Sequence, residues 1–342
     1  MSNKIPRYYK FRLFNTFAFV VILGFTVKSF LNIPFSQGIV SQIQAKTKTL
    51  NYPFNRILSA FKTQKETTLI VTGDVMLGRS VNTRTIKHNE ANYPFLEIQS
   101  LLSSSDITLI NLENPFFDPC PNTNEGLIFC APTESVNSLA FAGVDVANIA
   151  NNHIKNYGQK GYDTTITALN NLNISPSDSN HFVIIEKNKI KFGFLGFNIL
   201  SQEHSTKEIT SQIQTNKAKV DVLVVSFHWG AEYTHQPSKS QKELAHQAVK
   251  AGANLIVGHH PHVIQPQEVY QNTPILYSLG NLVFDQMWSP DTREGVIAKF
   301  TFTDHKITST EFTPVIIHDY SQPQIVTDQK TLEKINSYLS LK

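Results

Sequence analysis

The 342-residue chain has only two cysteines, too few for a disulfide scaffold or a zinc site built on thiolates. Its 15 glycines and 16 prolines follow no period, which excludes collagen-like and Pro-rich low-complexity chains. No heptad or longer repeat runs through it, so coiled coils and solenoids are excluded as well. Charged residues make up only 17% against 41% hydrophobic, a balance that rules out a disordered chain and leaves material for a large core. Acidic residues are absent before Glu66, whereas ten basic ones precede it (Lys4, Arg7, Lys10, Arg12, Lys28, Lys46, Lys48, Arg56, Lys62, Lys65). Of 30 Lys and Arg, 20 therefore remain against 27 Asp and Glu, so the rest of the chain carries a net charge of −7 rather than the overall +3. The basicity belongs to a tail, and no basic stripe interleaved with aromatics follows it. Nucleic acid is excluded as a partner on this ground.

That tail reads as a membrane-targeting segment. Lys4, Arg7, Lys10 and Arg12 flank an uncharged run over residues 13–27, LFNTFAFVVILGFTV. Its 15 residues fall short of the roughly 20 needed for a bilayer crossing, unless Lys28 snorkels and the helix extends towards Phe35. Residues 1–35 are read as an uncleaved anchor with its N-terminus in the cytoplasm, by the positive-inside rule; a cleaved signal peptide is the alternative. Either way the remainder is expected outside the cytoplasm; the anchor reading also tethers it to the cytoplasmic membrane by a single pass. Residues 36–67, rich in Gln, Lys, Thr and Ser, read as a linker. Cys120 and Cys130 flank the turn-rich stretch PNTNEGLIF; a disulfide there would close a short loop in an oxidising compartment, two free thiols being the alternative.

From Thr68 onward, apolar runs alternate with helical spacing. TLIVT, DITLINLE, DVANIAN, KIKFGFLGF, VDVLVVSFH, NLIVGHH and PILYSLGN read as buried strands. Residues 93–104, 134–142, 158–173 and 237–251 have helical spacing, and GVIAKFTFT with the region after Lys306 reads as antiparallel edge strands. The fold class is α/β, with helices outside a mixed sheet or pair of sheets, and ligands in such folds gather beyond the carboxyl ends of the strands.

Those ends carry metal-ligand chemistry. Asp74 follows Gly73 at an expected turn, Glu113 follows TLINL, Asn152 and His153 end the block ANNH, and His228 and Glu232 lie in HWGAEY. His259, His260 and His262 crowd into HHPH, where three imidazoles in four positions leave few structural uses. Taken singly, Gly-Asp is most often a turn and Glu113 before Asn114-Pro115 could equally be a cap. Together, carboxylates, an amide and imidazoles suit one or two divalent ions, with imidazole favouring zinc, iron or manganese over calcium or magnesium. The other histidines (His88, His181, His204, His235, His246, His305, His318) read as surface or packing residues. A glycosidase built on Asp74 and Glu113 would leave the histidine cluster idle.

The ordered blocks GDVMLGR, NLENP, ANNH, HWGAEY, AGANLIVGHHPHV and YSLGNLVFD closely resemble the CapA family, implicated in capsule and poly-γ-glutamate synthesis. That family is similar in turn to the calcineurin-like metallophosphoesterases. The resemblance implies a two-sheet sandwich flanked by helices, here over residues 68–320, with 321–342 as a helical tail. It implies Asp74, Glu113, Asn152, His228, His260 and His262 as metal ligands and His153 as the proton donor to a leaving group. Met76 stands where the phosphoesterases place a histidine, and CapA-like sequences share that methionine. Asn156 and Asn254 stand where CapA-like sequences usually carry Asp. Arg79, Glu232 and Asn281 lie in the matched blocks and are expected to contact substrate; Glu232 could instead orient a ligand histidine, and a salt bridge, a cap and a turn are the plain alternatives. The implied activity is metal-dependent hydrolysis or transfer on an anionic envelope polymer or its precursor. A polymer-binding assembly factor without turnover is the alternative, and other capsule-synthesis proteins are further candidate partners.

Overall fold

The computed structural model describes residues 65–340, so the expected anchor and most of the linker lie outside the described residues. Among the described residues no helix is long and apolar enough to cross a membrane. In chain order the strands are β1 (Thr67–Val75), β2 (Ile107–Leu112), β3 (Val146–Asn148), β4 (Ser175–Ser177), β5 (Val183–Lys187), β6 (Ile190–Asn198) and β7 (Val222–His228). They continue as β8 (Leu255–His259), β9 (Ile264–Tyr270), β10 (Thr273–Leu279), β11 (Asn281–Val283), β12 (Glu294–Thr303), β13 (Lys306–His318) and β14 (Gln322–Ile325). They form two sheets. One runs β14-β13-β12-β1-β2-β3-β4 with β11 also paired to β1; the other runs β5-β6-β7-β8-β10-β9.

Side-chain alternation along each strand builds the layers. Leu69 and Val71 of β1 pack in one apolar cluster with Val222 and Val224 of β7, between the sheets. Phe192 of β6 meets Phe302 of β12 edge to face in this middle layer, with ring centroids 5.1 Å apart. Ile70 instead joins Phe95, Leu139, Tyr162 and Leu169 from the helical side of the first sheet. Leu223, Val225 and Phe227 join Ile209, Ile213, Leu244 and Ala248 from the helices Thr206–Lys217 and Lys239–Lys250 on the second. Both helices start in a capping box, Ser205 with Glu208 and Ser238 with Gln241, so serine and the third helical residue satisfy each other's backbone amides. The result is the expected α/β sandwich flanked by helices.

Several local expectations are corrected. β12 and β13 are antiparallel, but they are interior strands because β1 and β14 continue the sheet on either side. Residues 93–104 form only a 3-10 turn, Tyr93–Phe95, and a short helix, Gln99–Leu102. The helices Arg79–His88 and Thr206–Lys217 lack a strong apolar period and escape a reading of the pattern. Asp74 lies inside β1 rather than in a turn, because β1 runs on to pair with β11 at Asp74 and Val75. Gly73 permits this: a Cβ there would collide with the Gly280 carbonyl, whose oxygen accepts the Asp74 amide at 3.0 Å. Asn254 sits just ahead of β8, where its Oδ1 accepts the Leu223 amide and Lys217 Nζ, both at 2.9 Å.

Cys120 and Cys130 form a disulfide with Cα atoms 5.9 Å apart. Closing a loop of this length stabilises the fold by about 2–3 kcal/mol in the chain-entropy account. Replacing both cysteines by serine is expected to lower the unfolding free energy by that amount, read as a lower denaturant midpoint.

Candidate metal centre

Register brings the polar residues together. Across the first sheet, Asn281, Asp74, Asn111 and Asn148 occupy one row on β11, β1, β2 and β3. Across the second, Asn198, His228 and His259 occupy one row on β6, β7 and β8. The rows meet where His259 Nδ1 lies 3.1 Å from Asp74 Oδ1. Asn111 Nδ2 donates to both Asp74 Oδ1 at 2.9 Å and Glu113 Oε1 at 3.0 Å, and its own carbonyl is held by Asn148 Nδ2 at 2.8 Å. Sequence reasoning passes over Asn111 and Asn148 as site residues; the available signal was an amide inside an otherwise apolar strand.

The HHPH segment crosses over this point in strained backbone, with φ of 95° at His260 and 56° at His262. The His260 amide donates to Asp74 Oδ2 at 3.2 Å, and His262 Nδ1 lies 3.1 Å from the same oxygen. Asn281 is buried behind His262 rather than facing substrate. Its Nδ2 is engaged by the Thr292 carbonyl and Gln286, so its Oδ1 accepts from His262 Nδ1 at 3.0 Å and leaves Nε2 as the free nitrogen. That Nε2 lies 3.8 Å from Glu113 Oε2, and His228 Nδ1 lies 3.7 Å from Glu113 Oε1.

A hydrogen-bond chain sets the tautomers on the other side. The Phe129 amide donates to Asn156 Oδ1 at 2.7 Å, so this atom is an acceptor and His153 Nδ1, 3.1 Å away, donates to it. His153 Nε2 then accepts from Asn152 Nδ2 at 3.2 Å, and Asn152 Oδ1 accepts from His228 Nε2 at 2.9 Å. His228 Nδ1 is left with its lone pair turned towards Glu113. Asn152 thus reaches the site, but its oxygen is engaged by His228. His153 is further held by the Phe129 ring stacked on it at 3.9 Å, and the Arg79 guanidinium lies 4.4 Å from the centroid of that same ring. Arg79 does not extend freely towards a ligand: it forms a two-point salt bridge to Asp285 and donates to the Gly126 carbonyl at 2.6 Å, tying the disulfide loop to the chain after β11. Glu232 lies exposed at the outer edge.

Electrostatics follow from burial. Burial pushes the Glu113 carboxyl well above its ordinary range, and the charge of Asp74 adds to this. Burial acts likewise on Asp74, but hydrogen bonds with His259 and His262 outweigh it and hold that carboxyl well below the ordinary range. Burial depresses His228 strongly, helped by His260, and lowers both His153 and His260 to about 4. At neutral pH, then, His153, His228 and His260 are neutral imidazoles.

These residues fit a divalent cation. Glu113 Oε2, His228 Nδ1, His259 Nε2 and His260 Nδ1 are buried without a hydrogen-bond partner, an arrangement that costs about 1–3 kcal/mol per neutral group unless something accepts their lone pairs. Ligand atoms of Asp74, Glu113 and His262 lie within 4.8 Å of one another, as do those of Glu232, His260 and His262. The mixed nitrogen and oxygen set suits manganese, iron or zinc. Met76 adds no ligand: its sulfur accepts the Gly78 amide at 3.0 Å in the buried turn after β1.

An α/β sandwich with carboxylates and imidazoles gathered at its strand ends defines a two-sheet protein with a candidate metal centre. The chain belongs to the bacterial capsule synthesis protein family PGA_cap, whose family model matches residues 68–286. It is 32% identical over 302 residues to the capsule biosynthesis protein CapA of Bacillus anthracis, covering 80% of this chain and 72% of that one. It is 34% identical over 286 residues to the PGA biosynthesis protein CapA of Bacillus subtilis (strain 168), covering 76% and 75%. Among solved structures, a hypothetical protein from Thermus thermophilus aligns with a TM-score of 0.49 at 14% identity, over 72% of this chain and 98% of that one.

Two outcomes are expected. Histidines whose folded pKa lies below the unfolded value of about 6.5 contribute fully above that pH and lose their contribution as pH falls towards the folded value. His153, His228 and His260 act in this direction; Glu113, raised in the folded state, opposes them, and Glu113→Gln removes that opposition. The thermal midpoint of chelator-treated Glu113→Gln protein should fall as pH drops from about 6.5 to 4, and added manganese should raise that of the parent chain at pH 7. Replacing Asn156 by Asp puts a carboxylate beside His153 Nδ1 and should raise the pKa of His153 by about 1–3 pH units, followed by NMR of the imidazole ring.

Proposed function

We propose that this chain works outside the cytoplasmic membrane in capsule or poly-γ-glutamate synthesis, as a metal-dependent hydrolase or transferase on an anionic envelope polymer or its precursor. Family membership and the relatives named for capsule and PGA biosynthesis support the process. The basic-flanked apolar run over residues 13–27 supports a membrane tether. The single observation that carries the chemistry is the buried carboxylate pair, Asp74 and Glu113, with the unpartnered His228 Nδ1 at 3.7 Å and His262 Nε2 at 3.8 Å from Glu113.

Asp74, Glu113, His228, His260 and His262 would hold the cation, with His259 and Asn281 orienting Asp74 and His262. A divalent ion held there would supply Lewis acidity and would activate water at neutral pH. The protein's own groups supply the rest. Asn111 and Asn148 keep the two carboxylates in place. Asn156 and Phe129 orient His153, whose Nε2 faces the site as an acceptor in the resting state. An anionic substrate beside that ring would raise its pKa, so His153 becomes able to carry and release a proton only when substrate is bound.

The full-length chain, purified in detergent, can be assayed on a phosphodiester and on poly-γ-glutamate with and without manganese. Turnover should require the metal, disappear with Asp74→Asn, and fall about 10²–10⁴-fold with His153→Ala. A second reading, a polymer-binding assembly factor without turnover, is favoured by Met76, which stands where the resembled phosphoesterases carry a histidine and whose sulfur accepts the Gly78 amide. Retention of poly-γ-glutamate with no cleavage of either substrate would support it.

A further inference from the structure

We propose that Glu232 is a metal ligand, forming with His260 and His262 the outer half of the centre whose inner half is Asp74, Glu113 and His262. This inference rests on the metal-centre reading above and assigns to Glu232 a role other than substrate contact. Its carboxylate and the two imidazoles each offer a ligand atom within 4.8 Å of the others. His260 is only 7% exposed, and its Nδ1 is buried with no hydrogen-bond partner.

The loop carrying Glu232 is built against the histidine segment rather than merely lying near it. The Trp229 amide donates to the His259 carbonyl at 3.1 Å, and the Tyr233 amide to the Pro261 carbonyl at 2.8 Å, so hydrogen bonds bracket Glu232 on both sides. Trp229 anchors one end, fully buried, with its indole N–H on the Tyr277 carbonyl at 2.9 Å. Gln265 holds the other end through the Thr234 carbonyl at 2.6 Å. Left-handed backbone at Gly230 (φ 83°) and Tyr233 (φ 60°) turns the loop back over the HHPH segment, which is itself in left-handed backbone at both His260 and His262. Two strained segments clamped to each other hold one carboxylate opposite two imidazoles, at a cost that a purely solvated glutamate would not require.

Ligand count supplies the chemical reason. The Met76 sulfur is engaged by the Gly78 amide and is a poor donor to a hard cation. The inner group offers two carboxylates and one imidazole, and His262 is common to both groups, so a cation bound there has Glu232 as the further anionic donor on its solvent side. A carboxylate in that place also adds negative charge that favours a divalent ion over a monovalent one.

The test uses the full-length chain, stripped with chelator and titrated with manganese and, separately, cobalt. Asp74→Asn should abolish specific binding. Glu232→Gln should weaken manganese binding at least about tenfold and change the visible spectrum of bound cobalt, because a donor has left the ion. Unchanged affinity in Glu232→Gln, with binding lost in Asp74→Asn, overturns the assignment and leaves the centre intact. Weaker affinity with an unaltered cobalt spectrum also overturns it, since Glu232 would then act through its charge alone. Binding retained by Asp74→Asn overturns the metal-centre reading itself. Thermal melts of both variants, expected within a few degrees of the parent in chelator, establish that each is folded.

Discussion

Two carboxylates share one amide in a place that water does not reach. Asp74 and Glu113 are fully buried, both accept from Asn111 Nδ2, and the charge of Asp74 raises the cost of charging Glu113. Hydrogen bonds with His259 and His262 keep Asp74 ionised, while Glu113 carries the strain of burial. A pair of this kind is expensive in an apolar interior unless a cation or a full set of donors faces it. The other features of the site follow from that requirement: neutral imidazoles, amides aligned by strand register, and two loops bent over the strand ends.

The two-sheet fold meets the requirement by making each sheet contribute one row. The first sheet presents carboxylate oxygens and the amides that orient them, and the second presents imidazoles. The middle layer of Leu, Val and Phe side chains holds the rows at a set separation, so the site inherits the rigidity of the core rather than that of its loops. Gly73 and Gly258 matter for the same reason. A Cβ at Gly73 would strike the Gly280 carbonyl, and one at Gly258 would strike the Tyr277 carbonyl and the Trp229 indole.

A second line of organisation runs from the disulfide loop to the histidines. Phe129, next to Cys130, supplies both the ring that stacks on His153 and the amide that makes Asn156 Oδ1 an acceptor. The protonated nitrogens of His153 and His228 are thereby set by one backbone N–H at the far end of the chain of side chains that leads to Glu113. Asn156 offers that hydrogen bond without a negative charge, which is why burial prevails and His153 rests neutral.

Composition and pattern alone pointed to the α/β class, the strands whose ends carry carboxylates, amides and imidazoles, and the net basic charge of the first 65 residues. Those properties are local: apolar runs, residue chemistry and charge along the chain. Register decided the rest. Asn111 and Asn148 became site residues because parallel pairing puts them level with Asp74; Asn281 turned out to orient His262, and Arg79 to bridge to Asp285, because the partners lie 19 and 206 residues away in the chain. β12 became an interior strand because β1, its neighbour on one side, comes from the opposite end of the described sequence. Hydrophobic periodicity tells which face of a strand is buried, but not which strand lies beside it, and the direction of each imidazole nitrogen depends on contacts that exist only once both sheets are packed.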